Sequence, residues 1–188
     1  MRALLSSFAL VALAEMGDKT QLVALTLASR YRRPWTVMLG ILIATVVNHG
    51  LASSLGVWLA GLASPTWLAW VLGLGFIGFG AWTLVPDRAP DPAAPARWGP
   101  LATSAVVFFA AEMGDKTQLV TVALGARFDS VAAVTAGTTL GMLAADGLAV
   151  LAGNRLGALA PMWVIRWVAA GLFFAFGAAV LARAGGLL

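Results

Sequence analysis

The sequence predicts an all-α integral membrane protein of six transmembrane helices, arranged as two inverted three-helix repeats. Three observations lead there. Of 188 residues, 61% are hydrophobic and only 11% charged, against about 25% charged in a soluble domain. Apolar runs cover almost the whole chain, and a bilayer span needs about 20 apolar residues. Ten consecutive residues, AEMGDKTQLV at 14–23, recur unchanged at 111–120, an offset of 97.

The first apolar run, 3–27, holds the first copy of this block. Its start, Met1-Arg2, apolar residues and then Ala12-Leu13-Ala14, has the form of a secretory leader. Cleavage after Ala14 would strip half of a helix whose copy keeps the equivalent half, so this run is expected to stay as the first span. The second run, 36–62, carries Asn48 and His49 at mid-span. The third, 67–85, is rich in glycine (Gly73, Gly75, Gly78, Gly80) and predicts close-packed scaffold. Residues 86–99, rich in Pro and Ala, predict an extended linker. The fourth run, 100–124, holds the second copy of the block. The fifth, 131–157, places Asp146 where the first unit has His49. The sixth, 162–181, with Gly171 and Gly177, repeats the scaffold pattern. Trp35, Trp58, Trp67, Trp98 and Trp163 lie near span ends and are expected to be interfacial anchors.

The offset holds without gaps beyond the block. Arg30 matches Arg127, Gly40 matches Gly137, Gly50-Leu51-Ala52 matches Gly147-Leu148-Ala149, and Phe76 matches Phe173. The chain therefore reads as one membrane domain, 1–188, made of repeat one (1–85), a linker (86–99) and repeat two (100–188). Three spans is an odd number, so the second unit is expected to cross in the opposite sense, as in many secondary transporters. Arg30, Arg32, Arg33, Arg88, Arg97, Arg155 and Arg166 fall on one side, and Arg2, Arg127 and Arg183 on the other. The arginine excess assigns the first side to the cytoplasm of a cell inner membrane, with both termini outside and the linker inside. The formal charge of +4 comes from these loop arginines, and no aromatic-plus-basic surface for nucleic acid is present in the sequence. Cysteine is absent, which excludes thiolate ligands and disulfides.

Of eight acidic residues, Asp87, Asp91 and Asp129 fall in loops, while Glu15, Asp18, Glu112, Asp115 and Asp146 fall within predicted spans. Both lysines, Lys19 and Lys116, lie there too. An Asp or Lys at membrane depth costs roughly 2.5–3.5 kcal/mol on insertion scales, and such residues are usually functional. On a continuous helix Glu15 and Asp18 share a face, and Lys19, four residues from Glu15, pairs with it. Thr20 and Gln21, with Thr117 and Gln118, add neutral oxygens. Gly17 and Gly114 allow close approach or a local break, which would free carbonyl oxygens as ligands.

Bringing the copies together gathers four carboxylates and two lysines, a formal charge of −2. Hard divalent cations such as Mn²⁺, Ca²⁺ and Mg²⁺ favour such oxygens. Without a cation, burial and repulsion favour proton uptake by carboxylates. Protons and a cation competing for the same groups make a minimal antiporter. The plain alternative is a set of buried ion pairs that lock helix packing. A single Glu–Lys pair fits that reading well; two identical clusters fit it poorly. Asp146 is a candidate metal ligand or proton relay, and His49 its candidate relay partner; a packing histidine and a structural acceptor are the plain alternatives. Met16 and Met113 are expected to be filler, because a helix turns about 100° between neighbours and carries them off the Glu face.

The doubled block, Glu15-Met16-Gly17-Asp18-Lys19-Thr20 and Glu112-Met113-Gly114-Asp115-Lys116-Thr117, resembles the hallmark of the Gdt1/TMEM165 family. The resemblance spans the whole chain. It implies a divalent cation/proton antiporter, with bacterial members resembling manganese exporters. It implies cation binding by Glu15, Asp18, Glu112 and Asp115, and no cofactor besides the transported Mn²⁺ or Ca²⁺ and the counter-moving protons. Lys19 and Lys116 are expected to tune the charge. The expected partners are a divalent metal ion and the lipid bilayer. The linker is short and not strongly acidic, a departure from the long acidic loop of some members. The rival readings are a transporter of a small organic solute such as an amino acid, a membrane enzyme using the acids for proton transfer, and a structural subunit. No nucleophile–base pair or phosphate loop supports the enzyme.

Overall fold

The computed structural model describes residues 1–85, 98–152 and 162–186. They form eight helices: α1 (Arg2–Glu15), α2 (Lys19–Tyr31), α3 (Pro34–Leu62), α4 (Pro65–Thr83), α5 (Gly99–Glu112), α6 (Lys116–Phe128), α7 (Val131–Ala152) and α8 (Met162–Ala184). Four of these, α3, α4, α7 and α8, are long and apolar enough to cross a membrane. The spans expected over 3–27 and 100–124 are two helices each, broken after Glu15 and Glu112, where Gly17 and Gly114 left room for a local break. Gly17 (φ 81°) and Gly114 (φ 77°) take the left-handed conformation at the breaks, which only glycine adopts without cost. Most of the linker, with Asp87, Asp91, Arg88 and Arg97, and also Arg155, lies outside the described residues.

Local sequence explains the other helix ends. Pro34 and Pro65 stand at the first turns of α3 and α4, where a missing N–H costs nothing. Ser64 caps α4 by accepting from the Trp67 N–H at 3.4 Å. α2 and α6 both end in a left-handed residue, Arg32 (φ 52°) and Asp129 (φ 48°), at equivalent repeat positions.

Close approaches fix the helix directions. A Cβ added at Gly137 of α7 would sit 2.5 Å from the Leu4 carbonyl, and one at Gly141 would sit 2.7 Å from that of Phe8, so α1 and α7 run parallel. Further along, Gln21 of α2 bonds the Ala145 carbonyl of α7. The broken helix α1–α2 thus runs along α7. In the other half, Gly40 of α3 meets Leu101 and Ser104 of α5, while Ser53 of α3 meets Gly125 of α6. The broken helix α5–α6 runs along α3 in the same way. A Cβ added at Gly147 would sit 3.6 Å from Met38, and one at Gly50 would sit 4.0 Å from Thr135, so α3 and α7 are antiparallel. Each broken helix therefore packs on a long helix of the other unit, and the two broken helices run in opposite directions.

The α4 and α8 pair forms the scaffold. Gly73 and Gly177 approach each other's backbones. Phe76 packs edge-on to Phe176, with centroids 4.9 Å apart, worth about 0.5–1.5 kcal/mol beyond area burial. The five tryptophans expected at span ends are all largely exposed, from Trp98 at 56% to Trp35 at 73%. The acidic side chains that flank the two breaks are buried, while Met113 and Gly114 of the second break are exposed.

Candidate functional site

Each break places an acid on either side of it. Glu15 and Glu112 are the last residues of α1 and α5, and Asp18 and Asp115 are the N-caps of α2 and α6. The aspartates thus sit at positive helix ends and the glutamates at negative ones, where partial charge attracts a cation. All four are buried, from 0% exposure at Glu15 to 7% at Asp115.

The lysines join the two copies crosswise. Lys116 Nζ lies 2.8 Å from Asp18 Oδ1, and Lys19 Nζ lies 3.0 Å from Asp115 Oδ1. This corrects the expected Lys19–Glu15 pair. That pair needs a continuous helix, and the break at Gly17 swings Lys19 away from Glu15 toward the other unit. The Lys116 pair is the more deeply buried, at 6% and 0% side-chain exposure, while Lys19 keeps 20%.

The glutamates are held differently. Glu15 accepts hydrogen bonds from Thr20 at 2.8 Å and from Thr117 of the other copy. Both oxygens of Glu112 are buried without a hydrogen-bond partner. Gln21 and Gln118 brace the breaks, each accepting from the N–H of Gly17 or Gly114 at 2.8 Å. Their amide groups point across to the long helices: Gln21 donates to the Ala145 carbonyl at 2.7 Å, and Gln118 donates to Asn48 Oδ1. Positions 48 and 145 are equivalent in the repeat. The role of Asn48 as the brace of the second break was not drawn from the sequence, although its neighbour His49 was singled out.

Asp146, fully buried on α7, lies within electrostatic reach of Glu15 and Glu112. Neither of its oxygens is hydrogen-bonded, and neither nitrogen of the buried His49 is. No hydrogen bond therefore joins His49 to Asp146. Met113 is 51% exposed and Met16 half-buried, at the ends of α5 and α1. Among the described residues, no three Asp, Glu or His side chains already form a metal cage. Each aspartate is paired with a lysine of the other motif instead.

The family model described as "Divalent cation/proton antiporter GDT1" matches residues 3–91 and 100–186. The chain belongs to this family. It is 47% identical over 174 residues to a Vibrio cholerae protein named "Putative manganese exporter", covering 92% of this chain and 87% of that one. It is 26% identical over 201 residues to a GDT1-like protein of Synechocystis, covering 94% and 95%. It is 40% identical over 78 residues to GDT1-like protein 4 of Arabidopsis thaliana, covering 42% and 34%. No solved structure matches the chain. The family is one of transporters, not enzymes, so a divalent cation is cargo and the membrane is the setting. The candidate acids and lysines all lie within the matched residues.

Proposed function

We propose that this chain exports Mn²⁺ from the cytoplasm in exchange for protons, through one site shared by the two motifs. The crossed lysine–aspartate bridges are the observation that carries this reading. They draw Glu15, Asp18, Glu112 and Asp115 to one buried place between the two broken helices. The opposed directions of those helices support a six-span inverted repeat, each broken pair counting as one span. An inverted repeat supplies two related conformations, one open to each side. The arginine distribution supports a cytoplasmic linker and outside termini.

Glu15 and Glu112, at negative helix ends, are the first ligands of the entering cation. Asp18 and Asp115 turn from the lysines to the metal as it binds, with Thr20, Thr117, Gln21 and Gln118 offering neutral oxygens. Asp146 is a further carboxylate within electrostatic reach of both glutamates, and His49 a relay candidate on the opposite helix. When the cation leaves, the lysines return to the aspartates and a proton neutralises the bare glutamate. A buried carboxylate without donors needs one or the other. Carboxylate oxygen suits Mn²⁺ and Ca²⁺ alike. The name of the Vibrio cholerae relative favours Mn²⁺.

The test is metal uptake into proteoliposomes under an imposed pH gradient, with Mn²⁺, Ca²⁺ and a radiolabelled amino acid compared. Mn²⁺ flux that collapses with the gradient is expected. Amino-acid flux without any divalent cation would transfer the site to an organic solute.

A further inference from the structure

Away from the acids, two cavities at one end of the bundle share Arg127, Val180 and Arg183. One, of 370 Å³, is also lined by Leu68 and Leu72. The other, of 380 Å³, adds Arg2 and Phe176. Guanidinium groups from α1, α6 and α8 therefore open onto one cleft.

Among the described residues, no Asp or Glu lines either cavity. The ion pairs among the described residues involve only the lysines. Arg2 and Arg183 are exposed and Arg127 is half-buried, so all three are within reach of a ligand. The remaining wall is mostly apolar. The repeat does not reproduce the cleft: Gly99 stands at the position equivalent to Arg2, and Pro86 at that equivalent to Arg183. The cluster belongs to one face of the molecule alone.

Arginines that pair with no acid among the described residues, beside an apolar wall and at the ends of membrane helices, complement a phosphate that carries acyl chains. A guanidinium fork matches phosphate oxygens in pairs. We propose that this cleft binds the headgroup of an anionic phospholipid, with Arg2, Arg127 and Arg183 on the phosphate and Leu68, Leu72 and Phe176 against the chains. The apolar wall favours a lipid over a free phosphate ion. Because α1 belongs to the first unit and α6 and α8 to the second, the lipid ties the two units together at this face.

The experiment is thermal unfolding of the purified full chain in detergent, with phosphatidylglycerol, phosphatidylcholine or inorganic phosphate added. Phosphatidylglycerol is expected to raise the unfolding temperature most, with the shift fading as salt is added. In R127Q/R183Q, half-saturation should need about twenty-five-fold more phosphatidylglycerol, at about fivefold per arginine. R30Q/R33Q, altered on the opposite face, should respond like wild type. R127K/R183K keeps the charge and the fold but loses the paired geometry, and should lie between wild type and the glutamine variant. Equal shifts in wild type and the arginine variants would overturn the proposal. An inorganic-phosphate shift matching that of phosphatidylglycerol would overturn the lipid assignment in favour of a free anion.

Discussion

Lys116 of the second motif pairs with Asp18 of the first, Nζ to Oδ1 at 2.8 Å, and both side chains are almost fully buried. Two identical ten-residue segments thus exchange partners rather than closing on themselves. Removing one member of a buried pair costs about 3–5 kcal/mol. Lys116→Met should therefore unfold well before wild type on heating, while Lys19→Met, whose lysine is partly solvated, should lose less. Paired unfolding curves in one detergent decide the order. Equal losses would mean that the pairs are not the unequal contacts described.

The two glutamates should separate stability from transport. Glu15 is held by two threonine hydroxyls and Glu112 by none. Glu112→Gln is expected to keep or raise the unfolding temperature and to abolish flux. Glu15→Gln should abolish flux and also destabilise by about 1–3 kcal/mol, since it disturbs a satisfied buried network. Flux and unfolding measured on both variants check the split.

The breaks and the crossings need glycine for different reasons. At Gly114 an added Cβ meets nothing within 4 Å, so Gly114→Ala bears only the left-handed backbone penalty of about 1–2 kcal/mol. At Gly137 the same atom would sit 2.5 Å from a backbone carbonyl of α1, and the helices must part. Gly137→Ala should be the more destabilising. A reversed order in thermal unfolding would contradict the close α1–α7 crossing.

Competition between protons and Mn²⁺ for the same carboxylates sets the sign of the pH dependence. Metal binding releases protons, so acid on the loading side weakens apparent affinity. The half-saturating Mn²⁺ concentration should rise as loading-side pH falls, by up to about tenfold per unit for each proton displaced. Initial rates at several loading-side pH values measure it. A flat profile would exclude proton exchange at these groups.

Much of this was legible in the sequence, and the exceptions have physical causes. The helical class and the duplicated acids follow from hydropathy and an ungapped repeat. The Lys19–Asp115 pairing did not, because three- and four-residue spacing predicts contacts only along an unbroken helix. Gly17 and Gly114 hinted at the break but not at its direction. The unequal treatment of Glu15 and Glu112 could not be read from the motifs, which are identical over 14–23 and 111–120. The threonines of both motifs, Thr20 and Thr117, turn to Glu15, and the repeats differ beside the motifs, with Asn48 and His49 on one long helix and Ala145 and Asp146 on the other.

The central claim is that two motifs make one site. Calorimetric titration of Mn²⁺ into the purified protein, with Glu15→Gln and Glu112→Gln beside wild type, tests it most directly. The account predicts a single site per chain in wild type, lost in either variant alone. Two sites in wild type, with one surviving in each variant, would show that the motifs bind independently and would contradict it.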